Sequence, residues 1–124
     1  MGIDLETIEP RTDAFIKDYF TNAEQVLASD RQRERNAVLI WSAKEAMLKA
    51  LGMGLRLDTR SVEVLRIAAD EVFPDWHALD VRSLVQPKLR WRVGWKVSGE
   101  TILTLAVCAG EMQLESLQIH EVIL

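Results

Sequence analysis

Apolar and acidic residues alternate at the start of the chain, over GIDLE at residues 2 to 6, with Ile3 and Leu5 apolar and Asp4 and Glu6 acidic. A period of two predicts a β-strand, so Asp4 and Glu6 share a face with their side chains roughly 7 Å apart. Paired carboxylates repel, and more strongly when partly buried, unless a cation or hydrogen-bond donors lie between them. Thr7, Glu9, Pro10, Arg11 and Thr12 end the strand, and Phe15, Ile16, Tyr19 and Phe20 then recur at helical spacing in DAFIKDYF. Thr21 to Glu24, TNAE, match a capping box, so a second helix is expected to start there.

The longest helical pattern runs from about Asp30 to Leu51, with Asp30 as N-cap and Gly52 just beyond its last turn. Its first two turns, RQRER, are polar. Further on, Leu39, Ala43, Ala46 and Ala50 form a stripe of mainly small residues that permits close packing, and Trp41, Leu48 and Leu51 add bulk. The second half is therefore expected to be covered by a sheet. SVEVLRIA at 61 to 68 reads as a strand, followed by a loop marked by Pro74 and Asp75. In KLRWRVGWKV, Leu89, Trp91, Val93, Trp95 and Val97 are expected on one face and Lys88, Arg90, Arg92 and Lys96 on the other. Ser98-Gly99 predicts a tight turn into ETILTLAVCAG, and ESLQIHEVI predicts a last strand. The expected class is α+β, a mainly antiparallel sheet packed against one long helix, with residues 1 to 124 as a single domain.

Composition narrows the function. The chain has 124 residues, 48% hydrophobic and 27% charged, with a net charge of −4. That balance argues against general nucleic-acid binding, and no apolar run reaches the roughly 18 residues of a membrane span. One cysteine, Cys108, rules out an internal disulfide and suits a reducing compartment. No secretory signal is visible, so cytoplasmic residence is expected.

Candidate chemistry lies in WSAKEAMLKALGMGL at 41 to 55. Glu45 and Lys49 are four apart and share a helix face, while Lys44 projects about 100° from Glu45. Taken alone, Glu45 and Lys49 read as a surface ion pair, and Asp4 and Glu6 as the solvated face of a strand. If the helix packs on the first strand, Glu45 joins Asp4 and Glu6 in an all-oxygen site suited to Mg²⁺, with two lysines nearby for a phosphate-bearing substrate.

GIDLE, YFTNAE and WSAKEAMLKALGMGL, in that order and spacing, resemble the motifs of the 4'-phosphopantetheinyl transferase superfamily, especially the second half of its surfactin-synthetase-activating type. The resemblance implies one half of the pseudo-dimeric fold of those enzymes. It also implies Mg²⁺-dependent transfer of phosphopantetheine from coenzyme A to a serine of an acyl or peptidyl carrier protein. Asp4, Glu6 and Glu45 would be metal ligands, Lys44 would neutralise coenzyme A phosphates, and Lys49 would lie beside the pyrophosphate and assist the leaving group. Glu45, directly or through a metal-bound water, would be the general base, with Glu24 a weaker candidate beside its capping role. The serine-histidine segment with which the family holds coenzyme A is missing, and neither His77 nor His120 lies in such a context. A homo-oligomer, or pairing with a chain bearing the first half, would complete the site. The rival reading is a non-catalytic interaction module that binds carrier proteins or a partner chain. The basic face of residues 88 to 96 reads either as a carrier dock or as the solvated face of an edge hairpin, and His77 is expected in a loop.

Overall fold

The computed structural model describes residues 1–29, 31–52 and 57–109, apart from the Ala69 side chain. Five strands, β1 (Gly2–Thr7), β2 (Val62–Phe73), β3 (Trp76–Ser83), β4 (Arg90–Ser98) and β5 (Thr101–Ala109), form one sheet in the order β1-β5-β4-β3-β2. Every neighbouring pair is antiparallel. Three helices, α1 (Asp13–Tyr19), α2 (Asn22–Leu27) and α3 (Arg33–Ala50), lie between β1 and β2 in the chain. The expected α+β class and antiparallel sheet are thus observed. None of the described helices is long and apolar enough to cross a membrane.

Local chemistry sets the helix starts. The Thr12 hydroxyl accepts from the Phe15 N–H, and Thr21 and Glu24 form the expected capping box. Such caps contribute about 1 kcal/mol each. Helix α3 begins at Arg33 with Gln32 as N-cap, and no side chain caps it; Asp30 lies outside the described residues. From Asn36 to Leu48 nearly every α3 side chain is buried, because the helix has cover on more than one side. Val93, Trp95, Ile102 and Ala106 of the sheet meet it, as do Ile16 and Phe20 from the α1 segment.

The small-residue stripe has a specific partner. Gly2 passes so close to α3 that a Cβ there would sit 1.9 Å from the Ala46 carbonyl oxygen. Strand β1 therefore lies directly against the helix, which brings GIDLE and WSAKEAMLKAL together.

Several expectations change. Pro74 and Asp75 are a two-residue turn, with Asp75 at φ 68°, and Trp76–Ser83 continues as strand β3. His77 is accordingly a strand residue, paired with Trp95. Strand β4 lies inside the sheet, between β5 and β3, so it is no edge hairpin. Val93 and Trp95 face α3 as expected, but Val97 is exposed. On the opposite face, a Cβ added at Gly94 would crowd Val72, Phe73 and Trp76, and Lys96 stacks on the Trp76 ring at 4.5 Å. That face carries a second apolar cluster of Phe73, Trp76, Leu105 and Val107, which a purely solvated basic face would lack. The expected strand at 115 to 123, His120, and Met53 with Gly54 lie outside the described residues.

Candidate active site

The register of β1 against β5 pairs Gly2 with Ala106, Asp4 with Thr104 and Glu6 with Ile102. Opposed residues in an antiparallel pair share a face. Ala106 and Ile102 belong to the core under α3, and the Ser42 hydroxyl of α3 donates to Thr104 Oγ1 at 2.9 Å. Gly2, Asp4 and Glu6 therefore all face the helix. Ile3 turns to the second apolar cluster, and Leu5, on the same side, is exposed. The alternation of GIDLE thus presents carboxylates, rather than apolar side chains, to α3.

Asp4 is buried and Glu6 and Glu45 are half-buried. Burial pushes the Glu45 carboxyl above the ordinary range, Asp4 adds to the rise, and Lys49 opposes it. Burial likewise raises Glu6, with Asp4 adding through charge and a side-chain hydrogen bond, while Arg11 and the Trp41 side chain pull the other way. Asp4 thus acts on both glutamates. Its Oδ1 accepts from the Lys49 ammonium at 2.9 Å, and Lys49 also donates to the Ile3 carbonyl at 3.0 Å. Two oxygens on facing elements, Asp4 Oδ2 and Glu45 Oε1, are buried with no hydrogen-bond partner among the described residues.

Buried carboxylate oxygens without donors are costly, and hard oxygen donors suit a divalent cation such as Mg²⁺. The residues present fit such an ion in type and charge. Among the described residues, no group of three His, Cys, Asp or Glu side chains is already arranged to hold a metal. Lys49 occupies one oxygen of Asp4 in that arrangement.

Lys44 corrects an expectation. Its ammonium is 0% exposed, lies 2.6 Å from Glu24 Oε1 and donates to the Val62 carbonyl at 2.7 Å. Burial pulls its pKa down and the Glu24 carboxylate opposes the fall. An ammonium held in the core by two acceptors does not reach coenzyme A phosphates. Glu24 is equally enclosed: Oε1 also accepts from the Thr21 N–H, and Oε2 accepts from the Val64 N–H at 2.8 Å. Those contacts make it a structural group and leave no role as a general base.

Three neighbours were missed in the sequence reading. Arg11 lies 3.9 Å from Glu6, and Trp41 is held against Phe15 and Tyr19 with its side chain toward Glu6. Gly2 makes the close approach described above. A glycine that begins an alternating strand, together with an alanine stripe on the long helix, is the sequence signal for the third.

Comparison with known proteins bears on this geometry. A family model described as the 4'-phosphopantetheinyl transferase superfamily matches residues 1–100. A holo-[acyl-carrier-protein] synthase of Gloeobacter violaceus is 34% identical over 109 residues, spanning 79% of this chain and 80% of that protein. An acyl carrier protein synthase of Mycobacterium tuberculosis has a similar structure, with TM-score 0.60 and 25% identity, over 88% of this chain and 95% of that one. A holo-(acyl-carrier-protein) synthase of Bacillus anthracis, solved in complex with coenzyme A (3',5'-ADP), shares the fold at TM-score 0.68 and 21% identity, over 89% and 95%.

Proposed function

Because the chain belongs to the 4'-phosphopantetheinyl transferase superfamily, we propose that it transfers phosphopantetheine from coenzyme A to a serine of an acyl or peptidyl carrier protein, with Asp4, Glu6 and Glu45 holding Mg²⁺. The observation that carries the site is a pair of buried oxygens on facing elements, Asp4 Oδ2 and Glu45 Oε1, with no hydrogen-bond partner among the described residues. Bound there, the ion supplies neutralising charge to the pyrophosphate of coenzyme A.

The chain's own groups account for the remaining steps. Glu45, half-buried on the face of α3 that meets β1, takes the serine proton. The serine oxygen then bonds to the phosphorus of the phosphopantetheine arm, and the bond from that phosphorus to the bridging oxygen breaks. Adenosine 3',5'-bisphosphate leaves with the electron pair. Lys49, about half exposed and reaching the site from α3, stabilises the departing phosphate. Arg11 balances Glu6. Residues 1 to 124 act as one domain, in the cytoplasm, as a homo-oligomer or with a partner chain that completes the coenzyme A site. Among the described residues β1 pairs with β5 alone, and the exposed Leu5 on this edge strand suits such an interface.

The test is incubation with coenzyme A, Mg²⁺ and a panel of apo acyl and peptidyl carrier proteins, read by mass. The expected result is gain of one phosphopantetheine arm on at least one carrier. No gain on any carrier, with Glu45→Gln indistinguishable from the parent, favours the non-catalytic module instead. A strict monomer in a sizing experiment would remove the shared-site version.

A further inference from the structure

The two lysines of α3 grip opposite edges of the sheet. Strands β1 and β2 are the outermost strands. Lys49 donates to the Ile3 carbonyl of β1 at 3.0 Å, and Lys44 donates to the Val62 carbonyl of β2 at 2.7 Å. On the β2 side the grip is reinforced by Glu24, whose two oxygens take Lys44, the Thr21 N–H and the Val64 N–H. One carboxylate thereby ties α2, α3 and β2 together.

A buried ion pair is a poor source of net stability, since an apolar pair of similar volume does as well or better, but it can specify one arrangement among several. Here the arrangement specified is the roll of α3. Lys44 and Glu45 are consecutive, about 100° apart around the helix, so any roll that moves Lys44 off Val62 sweeps Glu45 across Asp4. At a helix radius of about 5–6 Å, a roll of about 20° displaces a side-chain group by about 2 Å. A misplacement of about 1 Å at a reacting group can cost about 100-fold in rate.

We infer that Lys44 and Glu24 are positioning residues, whose buried pair fixes the roll of α3 that turns Glu45 and Lys49 toward Asp4. This rests on the proposed transferase reading. Lys44 and Glu24 touch neither coenzyme A nor the carrier; they act through Glu45.

The experiment compares the parent with the uncharged double variant Lys44→Met/Glu24→Gln and with Glu24→Asp, which keeps both charges but shortens the carboxylate arm. Three quantities are read: Mn²⁺ affinity by direct titration without coenzyme A, kcat, and KM for coenzyme A. The expected result, for folded double variant, is Mn²⁺ affinity and kcat each lowered about 10- to 100-fold, as for other groups that orient metal ligands, with KM within about threefold. Glu24→Asp shows the same split and carries the test if the double variant does not fold. Parental Mn²⁺ affinity and kcat in the folded variants overturn the inference, as does a large rise in KM at unchanged kcat, which would return Lys44 to coenzyme A. A parent that binds no Mn²⁺ and transfers nothing overturns the underlying reading as well, a failure seen before any variant is made.

Discussion

Helix α3 carries charge into the protein on two sides, and the two sides are handled differently. Toward β2, Lys44 and Glu24 are fully enclosed and their polar contacts are met: ammonium to carboxylate, ammonium to carbonyl, and carboxylate to two backbone N–H groups. Toward β1, the Asp4 charge bears on both Glu6 and Glu45, and two buried oxygens lack partners among the described residues. A saturated charge cluster can hold structure and do nothing else. An unsaturated one leaves binding capacity for a ligand of opposite sign, so on the proposed reading the contrast divides adjacent residues of one motif, Lys44 and Glu45, between architecture and chemistry.

The sharpest way to break this contrast is to remove a charge from each side. Lys44→Met strands the Glu24 carboxylate in the core and should cost about 3–5 kcal/mol of stability, measured by urea denaturation. A variant as stable as the parent would show that the β2 side is not saturated structure. Glu45→Gln should do the reverse, lowering the transfer rate by about 10²- to 10³-fold while leaving the metal-free protein at least as stable, because it removes a repelling carboxylate. Gly2→Ala tests the contact that brings the two motifs together. Its Cβ would overlap the Ala46 carbonyl, and such overpacking should cost about 1–3 kcal/mol, read as a lowered denaturation midpoint.

A smaller effect concerns pH. Glu6 and Glu45 are raised above the ordinary value of 4.5 by burial and by Asp4. In the window between the unfolded and folded pKa values the folded chain therefore holds more protons than the unfolded one. Their contribution to stability is present below that window and is lost as pH rises through it. With a chelator present, the melting temperature of the parent relative to Glu45→Gln should fall as pH rises from about 4.5; Mg²⁺ should reduce that fall. An identical pH profile for parent and variant would place Glu45 outside the coupled cluster.

Much of this was legible in the sequence because short-range patterns determine it. GIDLE alternates, TNAE caps, and the Ala43, Ala46 and Ala50 stripe announces a close neighbour. Strand β3 was not legible, although Leu79-Asp80-Val81-Arg82 alternates. Trp76 packs into the second apolar cluster and Leu79 into the first, so the apolar phase shifts along the strand and no single face reads as buried. Lys44 was misread for a related reason. A lysine in a helix usually snorkels to solvent, and its burial depends on Glu24, 20 residues away, a pairing that spacing along one helix does not reveal. Asp4 and Glu6 on one face, and Glu45 beside them if the helix packs on the first strand, were read from alternation and spacing, and the family motif named the same three; that this face is the one turned to α3 follows from the β1–β5 register, which the sequence alone does not supply.

The most direct test of the central claim is titration of Mn²⁺ into the metal-free protein and into Asp4→Asn. Asp4 is the carboxylate that acts on both Glu6 and Glu45. The account predicts saturable binding to the parent and, in Asp4→Asn with the fold intact, a loss of affinity larger than the about 10- to 100-fold that removing an outer partner of a metal ligand costs. Equal affinity in the two proteins would contradict it.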